Sequence, residues 1–261
     1  MIPQARKAIP LAKARELLSE LQLEEPSEID PEAIAFQKGA NVQEEPLEGM
    51  DGNIVREGDK AIITVNSNLK YPRQKRFVIA HELGHFFLHP NARQFDAVDA
   101  EQAANWSEGQ AVEEYEANLF AAELLMPTYM FAPRIAKAEP SFDFIEKLST
   151  EFQTTLTSTA VQFVLNTKEE CFLVSSANRQ RQWFICSPTR SFRLLEDTLI
   201  HGHSCAAEVN ASKPRARDSK IEARFWLEEF RHDHKAYITE DSRFFPALNK
   251  TLTLLWINEA I

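Results

Sequence analysis

Five consecutive residues, His81-Glu82-Leu83-Gly84-His85, set two imidazoles and a carboxylate at a spacing suited to metal chemistry. On an α-helix, at roughly 100° per residue, His81 and His85 lie about 40° apart on successive turns, so both rings can reach one ion. Glu82, beside the first of them, is placed to take a proton from a water that the ion has acidified. The pattern points to hydrolysis, with His81 and His85 as metal ligands and Glu82 as the catalytic general base. Zinc is the expected ion, with manganese as the alternative.

A hydrolytic site of this kind needs a third protein ligand and one open position. The stretch Glu113-Glu114-Tyr115-Glu116-Ala117-Asn118 can supply the ligand. Glu114 and Asn118, four residues apart, share a helix face, so Glu114 is the favoured ligand and the Asn118 amide could orient a histidine from behind. Glu116, about 200° from Glu114, and Glu113, about 100° away, are alternatives that require the helix to be rotated. His89 continues the histidine series by one turn and reads as a ligand or a neighbour. The spacing HExxHxxGxxH is not met, because Leu88 and Asn91 stand at its Gly and third His positions, and no Cys precedes the motif. Tyr71 and Tyr115 are candidates for stabilising an oxyanion, a role that needs a donor besides the metal.

The elements that must position these residues can be read from periodicity. Residues 11–21 form an amphipathic helix with Pro10 at its first turn. Residues 53–55 and 61–66 read as strands of a hairpin turning through 57–59, and the second could bind substrate as an added strand or be a plain edge strand. Residues 73–89 form a largely buried helix stopped by Pro90, and 111–126 a second one ended by Pro127. Between them 91–109 reads as a surface loop. Gly84 costs about 1 kcal/mol in a helix relative to Ala, which is tolerable if the second helix approaches closely there. Residues 141–165 read as two short helices divided by the Thr-rich 154–159. Beyond a boundary near 168, 171–175, 182–187 and 251–257 read as strands and 221–231 as a helix.

The formal charge of −10 opposes nonspecific attraction to nucleic acid. The basic stretch 212–224 reads as a solvated loop leading into a helix. No apolar run suits secretion or membrane spanning, and Cys171, Cys186 and Cys205 show no ligand or disulfide spacing, so a cytoplasmic setting without membrane partner is expected. His201, His203, His232 and His234 read as surface residues rather than a second metal site. Phe225, Trp226, Phe230, Phe244, Phe245 and Trp256 read mainly as core, with a small-molecule pocket as the alternative.

Arg76 to His85 (RFVIAHELGH), followed by Glu114 to Pro127 (EYEANLFAAELLMP), resembles the ImmA/IrrE family of metallo-endopeptidases. The resemblance is strong over about 60–130 and looser over 10–165. It implies that His81, His85 and Glu114 bind the metal, that Glu82 is the base, and that the site is similar to thermolysin-like gluzincins. It further implies a helix-turn-helix transcriptional repressor as substrate, cleaved to relieve repression of stress-response or mobile-element genes. The resulting expectation is an α+β chain: a zincin-like peptidase domain of helices and a small sheet over 1–135, a helix-turn-helix-like helical linker over 136–168, and a smaller α/β domain, GAF-like and sensor-like, over 169–261. The linker is not expected to bind DNA, since 151–167 contains no Lys or Arg to meet phosphates. The rival class is a non-catalytic metal-binding regulator or sensor that binds a partner without cutting it. Intact Glu82 speaks against that, because a structural zinc site needs no base.

Overall fold

The computed structural model describes residues 4–89 and 112–257, with side chains from residue 7 onward. The expected loop over 91–109, Pro90 and Ala111 lie outside the described residues. The chain divides into two compact units, one comprising 1–131 and 148–159, the other 132–147 and 160–261. The helical stretch 136–168 is thus shared between the two units.

In the first unit, α1 (Gln4–Glu20), α2 (Pro31–Gln37) and α3 (Pro72–Leu88) precede α4 (Val112–Leu125), and β1 (Ala40–Glu45), β2 (Gly52–Glu57) and β3 (Lys60–Asn66) form a three-stranded sheet. Helix α1 starts earlier than expected and carries Pro10 in its interior rather than at its first turn. The buried Ala14, Leu17 and Leu18 still face inward, against α4. Asp30 caps α2 by accepting from the N–H groups of Glu32 and Ala33, and Pro31 opens the helix.

The hairpin β2–β3 turns as expected, with Glu57 opposite Lys60. Strand β1, hidden in a polar stretch with one fully buried residue, Ala40, pairs parallel to β3. The sheet order β1-β3-β2 makes β3 central, so it has no free edge on which a substrate strand could add. That expectation transfers to β2. Asn66 N–H donates to Asp51 O at 2.8 Å, which fixes the alternation of hydrogen-bonded pairs. In that register Gly52, Ile54 and Arg56 direct their main-chain groups to the outer edge of β2.

Two further helices follow, α5 (Thr128–Ile135) and α6 (Phe142–Glu151), then α7 (Leu156–Asn166). The second unit is built on β4 (Cys171–Ala177), β5 (Gln180–Cys186), β6 (Arg215–Glu222), β7 (Tyr237–Phe245) and β8 (Lys250–Trp256), in the order β5-β4-β8-β7-β6. All its pairings are antiparallel, so this part is α+β rather than the α/β expected. The helix expected over 221–231 is absent. Ile221 and Glu222 pair with Ile238 and Tyr237 at the end of β6, and only single 3-10 turns follow at Ala223–Phe225 and Glu228–Phe230. The basic stretch accordingly lies on an edge strand, where exposed charge discourages pairing with other chains. A short helix, α8 (Cys205–Glu208), packs near β6 and β7. Phe172, Ile221, Phe225, Trp226, Ile238 and Leu255 belong to one buried cluster, so the rings considered for a pocket at 225 and 226 fill a core. No helix among the described residues is long and apolar enough to cross a membrane.

Candidate metal centre

Helix α3 carries an almost unbroken buried run from Phe77 to Phe86, which includes His81, Glu82 and His85. Burying three polar side chains in one helix costs heavily unless they find partners. The partners come from α4, and Gly84 decides how close that helix can approach. A Cβ on Gly84 would stand 2.8 Å from Ala117 Cα and 3.0 Å from its carbonyl oxygen, so the two backbones meet here. The close approach expected from the Gly is therefore made by Ala117, one turn beyond Glu114.

At this crossing three ligand side chains converge. His81 Nε2 and His85 Nε2 are 3.0 Å apart, Glu114 Oε2 is 3.2 Å from the first, and Glu114 Oε1 is 3.3 Å from the second. A tetrahedral ion holding ligands at about 2.0–2.1 Å has ligand–ligand edges of about 3.3–3.4 Å, close to each of these three separations. Among the described residues this is the one group of three or more His, Cys, Asp or Glu so arranged, and all three members are buried. Each Glu114 oxygen thus faces one of the two imidazole nitrogens.

The outer nitrogens settle the tautomers. His81 Nδ1 lies 2.8 Å from Asn118 Oδ1, an acceptor, so Nδ1 carries the proton and Nε2 is left for the cluster. Asn118 thus sits where sequence spacing put it. The second histidine is approached differently: His85 Nδ1 is 3.1 Å from His89 Nδ1, and His89 Nε2 is 3.1 Å from Glu116 Oε2. His89 is a neighbour of the cluster, not a member, and Glu116 meets it instead of the metal triangle.

The charges are unevenly shared. Burial presses the His81 pKa down, yet the hydrogen bond to Glu114 and the nearby carboxylates of Glu82 and Glu114 raise it overall. Burial, with the adjacent His81 and His89, holds His85 at about 4. Burial would raise Glu114, but His81 and His85 outweigh it and hold its carboxyl at about 2. The Glu114 carboxylate, held low, and the His81 imidazole, held high, therefore face each other across a buried point.

Glu82 is fully buried. Its carboxylate lies beside the first residue of β2: a Cβ on Gly52 would be 3.4 Å from Glu82 Oε1 and 2.3 Å from Val78 Cγ1. Sequence reasoning missed Gly52, for which a glycine opening a strand opposite the motif helix was the available signal. It weighed His89 as a ligand or a neighbour and Glu116 as an alternative ligand, but not the contact between them. Tyr71 is the exposed N-cap of α3, about 15 Å along the axis from His81, and lies outside the cluster. Tyr115 is buried in α4, turned about 100° from Glu114. His201 stacks on Phe225 at 3.9 Å between centroids, away from any metal grouping. The three cysteines are free thiols.

The fold of the first unit and its His-His-Glu cluster define a domain of the HExxH metallopeptidase type. The IrrE N-terminal-like domain family matches residues 35–163, and this part of the chain is similar to ImmA/IrrE metallopeptidases. The metallopeptidase ImmA of Bacillus subtilis is 38% identical over 72 residues, which is 28% of this chain and 38% of that protein. The match therefore spans well under half of that relative. A solved Mycobacterium tuberculosis transcriptional regulator aligns with a TM-score of 0.61 at 11% identity, covering 96% of this chain and 76% of that one, a likeness of fold.

Proposed function

We propose that this chain is a zinc-dependent endopeptidase in which His81, His85 and Glu114 hold the ion, Glu82 is the general base and Asn118 orients His81. The observation that carries the reading is the convergence of three buried ligand side chains with contacts of 3.0–3.3 Å, and Glu82 on the helix of the two histidines. When bound, zinc polarises the scissile carbonyl and lowers the pKa of water at its open position. Glu82 then accepts the water proton and returns it to the leaving amine. The outer edge of β2 offers main-chain groups of Gly52, Ile54 and Arg56 to an extended substrate, and Gly52 brings that edge beside Glu82. Substrate lying there by strand addition would present a backbone carbonyl to the site without demanding a particular side chain.

The proposed substrate is a helix-turn-helix repressor, a choice supported by the family resemblance and by the likeness of fold to a protein that is itself a transcriptional regulator. The second unit is proposed to act as a sensor-like, GAF-like module, in a cytoplasmic setting consistent with its free thiols. The test is incubation of zinc-loaded wild type and Glu82→Gln with candidate repressors, with products read by intact-mass spectrometry. Discrete cleavage by wild type alone is expected. Equal fragmentation by both proteins, or none by wild type across a broad protein set, would remove the peptidase reading.

A further inference from the structure

The two histidines of the cluster are supported from behind by different devices, and only one was legible from the motif. His81 leans on an amide, Asn118. His85 leans on another imidazole: its Nδ1 is 3.1 Å from His89 Nδ1, whose far nitrogen is 3.1 Å from Glu116 Oε2. The side chains of His89 and Glu116 are 9% and 21% exposed, so water competes little for these contacts.

Donor logic allows one order of protons through this chain once His85 Nε2 faces a metal. His85 then carries its proton on Nδ1 and must donate it. His89 Nδ1 must be the acceptor, so the His89 proton sits on Nε2 and is donated to Glu116, a carboxylate that can only accept. We propose that His89 and Glu116 are positioning residues that fix the tautomer and ring orientation of His85, making it a ligand through Nε2. This rests on the zinc-centre reading above. His89 closes α3, with its own N–H donating to His85 O at 3.0 Å, while Glu116 comes from α4, so the relay also ties the end of the motif helix to the helix that supplies Glu114.

The side-chain amide oxygen of Asn stands close to where Nδ1 stands in His, so His89→Asn keeps an acceptor at this position for His85, whereas His89→Leu removes it. The experiment compares wild type, His89→Asn and His89→Leu by chelator competition for zinc and by two-bond proton–nitrogen NMR of the histidine rings in the zinc-loaded proteins. Melting curves of the metal-free forms establish that each variant folds. Expected are a wild-type His85 protonated at Nδ1 and bound through Nε2, a loss of zinc affinity of roughly 10- to 100-fold in His89→Leu, and recovery to within a few-fold in His89→Asn. Equal affinities in all three proteins, equal losses in both variants, or a His85 bound through Nδ1 would overturn the proposal while leaving the zinc centre intact. Failure of wild type to bind zinc at all would instead remove the centre, and the relay with it.

Discussion

His81 and His85 share a cluster yet respond oppositely to it, the first raised and the second held at about 4. In the metal-free protein His81 holds a proton more firmly than a free imidazole, and zinc must displace any proton on its ligand nitrogen, which needs its lone pair. Titration calorimetry in buffers of differing ionisation enthalpy should therefore show protons released on zinc binding, more of them as pH is lowered. Release that does not grow as pH falls would contradict this. Stability follows the same groups. His85, depressed from 6.5, contributes stability that is present above about pH 6.5 and lost as pH falls through about 4. Glu114 contributes stability present above pH 4.5 and lost as pH falls through about 2. His81 acts in the reverse sense, stabilising below pH 6.5 and losing that contribution as pH rises through its raised value. Urea midpoints of the metal-free protein should fall between pH 6.5 and 4, and His85→Phe should flatten that limb. An unchanged slope in the variant would assign the titration elsewhere.

At the level of elements, the site depends on how closely α4 crosses α3. Gly84→Ala would drive a methyl to within 2.8 Å of Ala117 Cα, where backbone has no way to give, and the helices must part. Overpacking of this kind costs about 1–3 kcal/mol, and here it also carries Glu114 away from the histidines. Both the thermal midpoint and zinc affinity should drop together; a stable variant with intact affinity would show the crossing is not what sets the triangle. Both helices were legible because their apolar residues and terminal prolines agree. Strand β7 was not. Thr239, Glu240, Asp241, Ser242 and Arg243 are all buried in it, a polar run inside a sheet. Its polarity is satisfied by contacts remote in sequence: Glu240 accepts from Trp226 Nε1 and Ala206 N–H, and Asp241 accepts from Phe142 N–H. Residues 221–231 failed for the opposite reason, since their helical spacing of Ile221, Phe225 and Trp226 is used by a strand end and two turns packing into one core. In β1 a single buried residue left no alternation to detect.

Across the whole molecule, the family match covers 35–163, and every member of the proposed metal site lies in the first unit. The second unit has its own polar anchor. Arg243, 6% exposed, bonds Asp143 Oδ1 at 2.5 Å and Glu146 Oε2 at 2.8 Å, joining β7 to the part of α6 that belongs to this unit. Arg243→Leu should destabilise that unit by roughly 1–2 kcal/mol, because the guanidinium contacts are lost but Asp143 and Glu146 are largely exposed and stay solvated. Zinc affinity should be unchanged, as checked by chelator competition on protein held below the transition. Loss of both would show that the site requires an intact second unit. The chemistry of the first unit was legible because its motif is local, whereas the second unit is organised by contacts such as Arg243 with Glu146 that no local pattern encodes.

The most direct measurement is X-ray absorption of the zinc-loaded chain alongside its zinc stoichiometry. One zinc per chain is expected, with two imidazole nitrogens and oxygen ligands only at about 2.0–2.1 Å, and Glu114→Ala should lose tight binding. Sulfur in the first coordination sphere, or wild type that binds no zinc, would contradict a centre built from His81, His85 and Glu114.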